Sequence, residues 1–213
     1  MEFSRFTELM SKIDKIPLAG LKAHQEMIPV SRETLIEEAA INPREPLHAG
    51  VLALFYPSFT QETMLILILR NTTPGVHSGQ MGFPGGRIEA KDESLKDAAL
   101  RETYEEIGVL PSNVNVIREL TKTFIPPSNF WVHPFLGIAK NTPRFRRQES
   151  EVKELVPVKL EDFLNEANVV TETLSTSYGD YIEVPAFSLN NKIVWGATAM
   201  MLNEVKTLFK EVL

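Results

Sequence analysis

Residues 85–109 read GGRIEAKDESLKDAALRETYEEIGV, and this stretch decides how the rest of the chain is read. A glycine pair gives a turn, Asp92 is a natural N-cap, and Gly108 is a natural C-terminal glycine, so a helix is predicted between them. Glu102, Glu105 and Glu106 fall at i, i+3 and i+4, which puts their carboxylates on one face. Leu95, Ala98 and Ala99 continue that face toward the N-terminus, and Leu100, Tyr104 and Ile107 make the opposite face apolar. Apolar residues on both sides predict a helix packed between layers, with three acids at its inner end. Partly desolvated carboxylates raise one another's pKa unless a cation neutralises them, and hard cations such as Mg2+ take oxygen ligands. The competing reading is a solvated acidic face with an Arg101–Glu105 pair at i, i+4. Acids near a helix C-terminus oppose the macrodipole at about 0.3–1 kcal/mol, so a decorative face would be better served by lysines.

The glycine turn upstream favours the metal reading, because the two together carry a family resemblance. Arg101-Glu102-Thr103-Tyr104-Glu105-Glu106-Ile107-Gly108-Val109, with Gly86 upstream, resembles the Nudix box. Gly86 stands one residue further upstream than the general box has it, with Glu93 at the intervening acid position, and Thr103 replaces an aliphatic residue. The longer run Leu67-Ile68-Leu69-Arg70, His77-Ser78-Gly79-Gln80-Met81-Gly82-Phe83-Pro84-Gly85-Gly86, Glu89, Asp92 and Ala99-Leu100-Arg101-Glu102 resembles the coenzyme A pyrophosphohydrolase branch, which shares that extra residue. Asn71 and Gly75 depart from the branch, which has Ser or Ala at the first position and a second arginine at the second. The absent guanidinium removes a phosphate fork and leaves ADP-ribose or a dinucleotide open as substrates.

The resemblance implies an α/β (α+β) Nudix fold, with a mixed β-sheet sandwiched between helices. It implies Mg2+ or Mn2+ held by Glu102, Glu105, Glu106 and a backbone carbonyl near Gly86. Catalysis would rest on Glu105, Glu106, Arg101 and Glu151. Arg101, paired with Glu93 or Asp92, would orient the acids, and Glu151 is the first candidate for the general base or an extra metal ligand. Arg70, His77 and Gln80 would meet a small-molecule substrate, coenzyme A or a related nucleotide. The reaction would give phosphopantetheine and adenosine 3′,5′-bisphosphate. A silent Nudix module that binds a nucleotide and regulates is the alternative of a different class, and the intact acids count against it.

Composition sets the outer bounds. With 43% hydrophobic residues over 213 positions, the chain can bury a sizeable core and is expected to form one Nudix domain over 1–213, with a helical extension over about 1–45. A net charge of −6 argues against nucleic acid or a membrane as partner. The absence of cysteine excludes disulfides, thiolate zinc sites and cysteine nucleophiles. No stretch has the length of a membrane span or the core of a signal peptide, so a cytoplasmic protein is expected.

Along the chain, Phe3, Phe6, Leu9, Met10, Ile13 and Ile16 have helical spacing, for packing or a homodimer contact. A further short helix is expected over 33–40, and His24 and Arg32 are basic loop residues within reach of a phosphate. Residues 49–56, 63–70, 114–124, 132–139 and 155–158 read as strands, and 71–82 as a loop. Arg144 to Arg147 form a basic loop cluster. A short helix over 160–166 and a polar segment over 171–177 follow. Strands over 181–187 and 192–194 flank an Asn190-Asn191 turn. A C-terminal helix opens at Trp195-Gly196, with Met200, Met201, Val205, Leu208 and Phe209 on its apolar side. Trp195 is read as a brace between that helix and the sheet.

Overall fold

The computed structural model describes residues 1–28, 45–72, 79–176 and 179–213. Eleven strands are resolved among them. Eight build the main sheet: β1 (Leu47–Pro57), β2 (Thr63–Arg70), β3 (Met81–Gly82), β4 (Gly85–Arg87), β5 (Val114–Glu119), β6 (Thr123–Ile125), β7 (Phe130–Ala139) and β8 (Val152–Lys159). The central path runs β3-β2-β1-β7-β5, with β4 on β1, β6 on β7 and β8 on β2. β1 and β7 run parallel over Leu47↔Phe130 to Phe55↔Ile138, and their neighbours run antiparallel. β9 (Val169–Thr176), β10 (Gly179–Leu189) and β11 (Lys192–Trp195) form a separate antiparallel sheet.

Because side chains alternate along a strand, β1 feeds two cores at once. Leu52, Leu54 and Tyr56 join Ile66, Ile68, Ala99 and Ile107 beneath helix α3 (Leu95–Ile107). Val51, Ala53 and Phe55 face the other way, toward α1 (Phe3–Met10), α4 (Leu160–Leu164) and α5 (Gly196–Lys210). The mixed sheet is therefore sandwiched between helices, as expected.

The N-terminal helix spends its apolar side on this core. Phe6 is fully buried, with its ring 5.3 Å from Phe55 and 5.5 Å from Phe209. A 3-10 turn, Ile13–Lys15, ends the segment, and Arg118 on β5 fastens it by donating to the Ile13 and Ile16 carbonyls, each at 2.8 Å. Helix α2 (Gly20–Gln25) follows and packs on α5. His24 lies here, buried, with Nε2 3.2 Å from Glu204 Oε2, so it is structural and not a phosphate contact. Glu204 also accepts from the Thr121 hydroxyl and the Gly20 and Thr121 amides; burial pushes its carboxyl up, but His24 and the Thr121 donors outweigh that and hold it below the usual range. The helix expected over 33–40, and Arg32, lie outside the described residues.

Several sequence expectations change. The key helix starts later: Ser94, not Asp92, is the N-cap, its hydroxyl accepting from Asp97 N–H at 3.2 Å. Its outer face is wetter than expected, because Tyr104 is 48% exposed and α3 packs mainly through Ala98, Ala99, Thr103 and Ile107. The strand expected over 114–124 breaks between Glu119 and Thr123, where Leu120 N–H turns to the Pro134 carbonyl and Thr121 to Glu204. The loop expected over 71–82 ends in strand β3 on the edge of β2. The polar segment over 171–177 is strand β9 up to Thr176, paired with β10 from Val169. β-Branched threonines suit its half-exposed surface. Arg147 of the basic cluster is occupied locally, donating to the Val152 and Lys153 carbonyls.

Candidate active site

Glycines bring α3 onto the sheet. A Cβ at Gly50 would lie 2.1 Å from the Leu95 carbonyl oxygen, so only hydrogen lets β1 and the helix touch. Gly85 adopts φ +143°, and a Cβ there would lie 2.4 Å from the Gly50 carbonyl oxygen. The short strand β4 is thereby pressed between β1 and the acidic face of α3.

Glu106 is the innermost acid, 1% exposed. Its Oε2 accepts Gly85 N–H at 2.8 Å, and Arg70 Nη2 stands 3.4 Å from Oε1. Desolvation pushes its carboxyl up to about 7, against the pull of Arg70 and the Gly85 amide. Glu102 is half-buried beside Gly86, where a Cβ would approach both carboxylate oxygens to 2.8 Å. Burial raises the Glu102 pKa too, although the Arg101 hydrogen bond opposes it. Glu105 is the outermost, with Lys91 Nζ 3.6 Å from Oε1.

Arg101 ties the acids together. Its Nη1 donates to Glu102 Oε1 at 2.8 Å and Glu105 Oε2 at 3.0 Å, and its Nη2 donates to the Arg87 carbonyl at 3.1 Å. Nε and Nη2 grip both Asp92 oxygens, at 2.8 and 2.9 Å. Those bonds hold Asp92 below the ordinary carboxylate range. Of the two acids expected to pair with Arg101, Asp92 does so, and Glu93 is exposed.

Glu151 lies on the loop that closes over the C-terminal end of α3, where Gln148 N–H donates to the Glu106 carbonyl at 2.9 Å. The exposed Glu151 carboxylate accepts from Gln148 Nε2 at 3.2 Å, and its charge contributes to the raised pKa of both Glu102 and Glu106. Pairwise contacts link these groups: Arg101 bridges Glu102 and Glu105, Gly86 abuts Glu102, Arg70 stands by Glu106, and the charges of Glu102 and Glu151 are felt at Glu106. His77 lies outside the described residues.

Beside the acids opens a cavity of about 290 Å³, and Gly85, Gly86 and Arg70 belong to both. Gln80 and Arg87 add polar groups to its lining, while Val51, Phe83, Ile125, Phe130, Val132 and Met201 make its walls apolar. Trp195 and the first turn of α5 complete it, so Trp195 lines a pocket. The convergence of Ile125, Phe130 and Thr198 had no local signal in the sequence.

The groups there that could ligate a metal are the carboxylate oxygens of Glu102, Glu105 and Glu106, the ligand chemistry of Mg2+ and Mn2+. Among the described residues, no three acidic or imidazole side chains converge on one point, because Arg101 holds Glu102 and Glu105 and the Gly85 amide holds Glu106. A buried carboxylate facing two further acids, with its nearest cation at 3.4 Å, fits a divalent ion.

The model of the NUDIX domain matches residues 46–175. A probable Nudix hydrolase of Schizosaccharomyces pombe is 34% identical over 144 residues, covering 68% of this chain and 50% of that protein, so the matched chain spans half the length of this relative. The uncharacterised Nudix hydrolase NudL of Citrobacter koseri is 31% identical over 160 residues, covering 68% of this chain and 80% of its own. The fold is similar to that of a Nudix hydrolase from M. smegmatis, RenU, with a TM-score of 0.50 and 16% identity, covering 79% of this chain and 88% of that one. The chain belongs to the Nudix family of pyrophosphohydrolases. No helix among the described residues is long and apolar enough to cross a membrane.

Proposed function

We propose that this chain hydrolyses the diphosphate of coenzyme A, or of its acyl or oxidised forms, to phosphopantetheine and adenosine 3′,5′-bisphosphate. The observation that carries the proposal is the shared edge between the acid cluster and the apolar cavity at Gly85 and Gly86. A diphosphate at the acids would leave one end of the molecule directed into the cavity. At about 290 Å³ the cavity is at the small end of ligand sites, so it holds an end group while the rest stays outside.

Glu102, Glu105, Glu106 and the Gly86 carbonyl would hold Mg2+ or Mn2+. The bound ion would supply neutralisation of the diphosphate charge and a lowered pKa for water. Arg101 keeps the acids oriented through Asp92, and the Gly85 amide fixes Glu106. Glu151, exposed and close enough for its charge to be felt at Glu106, would take a proton from water or add a metal ligand. Arg70 and Gln80 offer donors at the cavity edge.

Hydrolysis of ADP-ribose or a dinucleotide is the second reading, favoured by an apolar cavity that accepts an adenine face as readily as a pantetheine arm. Product analysis separates the two, with coenzyme A, ADP-ribose and a dinucleotide incubated separately with Mg2+ or Mn2+. Adenosine 3′,5′-bisphosphate from coenzyme A, with the others slow, supports the first. Preference for ADP-ribose or the dinucleotide replaces it with the second. Binding without turnover of all three points to a nucleotide-binding regulator.

A further inference from the structure

On the α3 side of the sheet, two histidines meet on neighbouring parallel strands. His48 lies on β1, and His133 lies on β7 in register with Gly50, so strand alternation directs both to the α3 side of the sheet. His48 Nδ1 and His133 Nε2 are 3.3 Å apart. A hydrogen bond of that length is long. The same separation is what two ligands of one tetrahedral ion require, because Zn–N bonds of about 2.0–2.1 Å at the tetrahedral angle set their nitrogens about 3.3 Å apart.

The outer nitrogen of His133 is also organised. His133 Nδ1 stands 2.8 Å from Glu119 Oε1 on β5. A carboxylate there keeps the proton on Nδ1 and leaves the Nε2 lone pair facing His48, the arrangement that orients metal-bound histidines. His48 is exposed and the His133 side chain is 12% exposed, so an ion and its remaining waters have access. Imidazole nitrogen favours Zn2+ and its transition-metal neighbours over Mg2+, which sets this pair apart from the oxygen-only cluster on α3.

We propose that His48 and His133 form a two-histidine site for a transition-metal cation of the Zn2+ type, oriented by Glu119. Among the described residues no third acidic or imidazole ligand joins them, so water fills the remaining positions. Affinity is accordingly below that of a four-ligand structural zinc site.

The test is a titration of the unaltered protein with zinc chloride in excess Mg2+, which competes for oxygen-ligand sites, followed by NMR of the ring protons of the four histidines. With through-bond assignments, the His48 and His133 signals move together along one saturation curve fitted by one ion per chain, while buried His24 stays in place. Calorimetry under the same conditions shows Zn2+ affinity falling at least tenfold in His48→Gln and His133→Gln, and about 10–100-fold in Glu119→Gln. The proposal is overturned if neither signal moves, if other histidines move instead, or if both glutamine variants bind Zn2+ as tightly as the parent. None of these readouts depends on hydrolysis, so the site stands or falls separately from the substrate proposal.

Discussion

Glu106 and Gly85 are joined by a hydrogen bond of 2.8 Å from the Gly85 amide to Glu106 Oε2, in a carboxylate that is 1% exposed. One amide does not replace the water that burial removes, which is why the Glu106 carboxyl titrates at about 7. The folded protein therefore holds a proton that the unfolded chain releases near its ordinary value of 4.5. With more protons on the native state, stability falls as pH rises from about 4.5 to about 7, by on the order of 3 kcal/mol. Glu106→Gln does not titrate and keeps an acceptor for Gly85. In chelator, thermal melts between pH 5 and 8 should show the variant gaining on the parent as pH rises. A constant difference across that range would mean that Glu106 is already ionised or solvated.

Turnover should move the opposite way. With Mg2+ present, Glu105→Gln and Glu106→Gln should each reduce it about a hundredfold or more, exceeding the usual effect of losing an outer partner of a metal ligand. Steady-state rates across a Mg2+ series check this. Unchanged turnover in either variant would remove that acid from the site.

Asp92 acts through Arg101, since both its oxygens are held by the guanidinium. Asp92→Asn leaves Arg101 less firmly placed against Glu102 and Glu105. The expected outcome is about a 10–100-fold loss in Mg2+ affinity or activity. Lysine in place of Arg101 should fare no better, because a single ammonium cannot fork to Asp92 and reach two glutamates. The Mg2+ concentration giving half-maximal rate is the quantity to compare. A loss of rate with no shift in that concentration would assign Asp92 to stability alone.

How far the sequence revealed this arrangement depends on the range of each interaction. β2 was legible to the residue, because an unbroken apolar run between turns leaves little choice. The Gly108 stop was equally clear, its φ of 77° being one that glycine adopts freely. The helix start was not, since Asp92 and Ser94 are both good caps and a distant arginine took the first. β4 is three residues, Gly-Gly-Arg, and exists because α3 and β1 close on it, which no local pattern encodes. The acids were visible through their spacing. The cavity was not, as its walls come from β1, β3, β7 and α5, which only the folded sheet brings together.

Gly50 tests how tightly the helix carrying the acids is seated. In Gly50→Ala the new methyl would fall 2.1 Å from the Leu95 carbonyl, and backbone on both sides cannot give way as a side chain can. The variant should lose about 1–3 kcal/mol of stability by denaturant unfolding. Turnover of the folded fraction should fall too, because α3 must shift away from Gly86.

Ala197 lies in the first turn of α5, on the cavity wall and remote in sequence from the acids. Tryptophan there would fill part of the roughly 290 Å³ that the proposed reaction reserves for one end of the substrate. The acid cluster, Arg101 and Asp92 contribute nothing to that wall, so their chemistry should persist. Ala197→Trp should therefore raise KM at least tenfold, about 1.4 kcal/mol of binding, with a smaller change in kcat and none in Mg2+ dependence. An inert shortened substrate that lacks the end group should be bound equally by variant and parent. Equal KM values for the full substrate would place the end group elsewhere. A loss confined to kcat would mean that the bulky ring displaces the diphosphate, and not the end group, from its place beside Gly86.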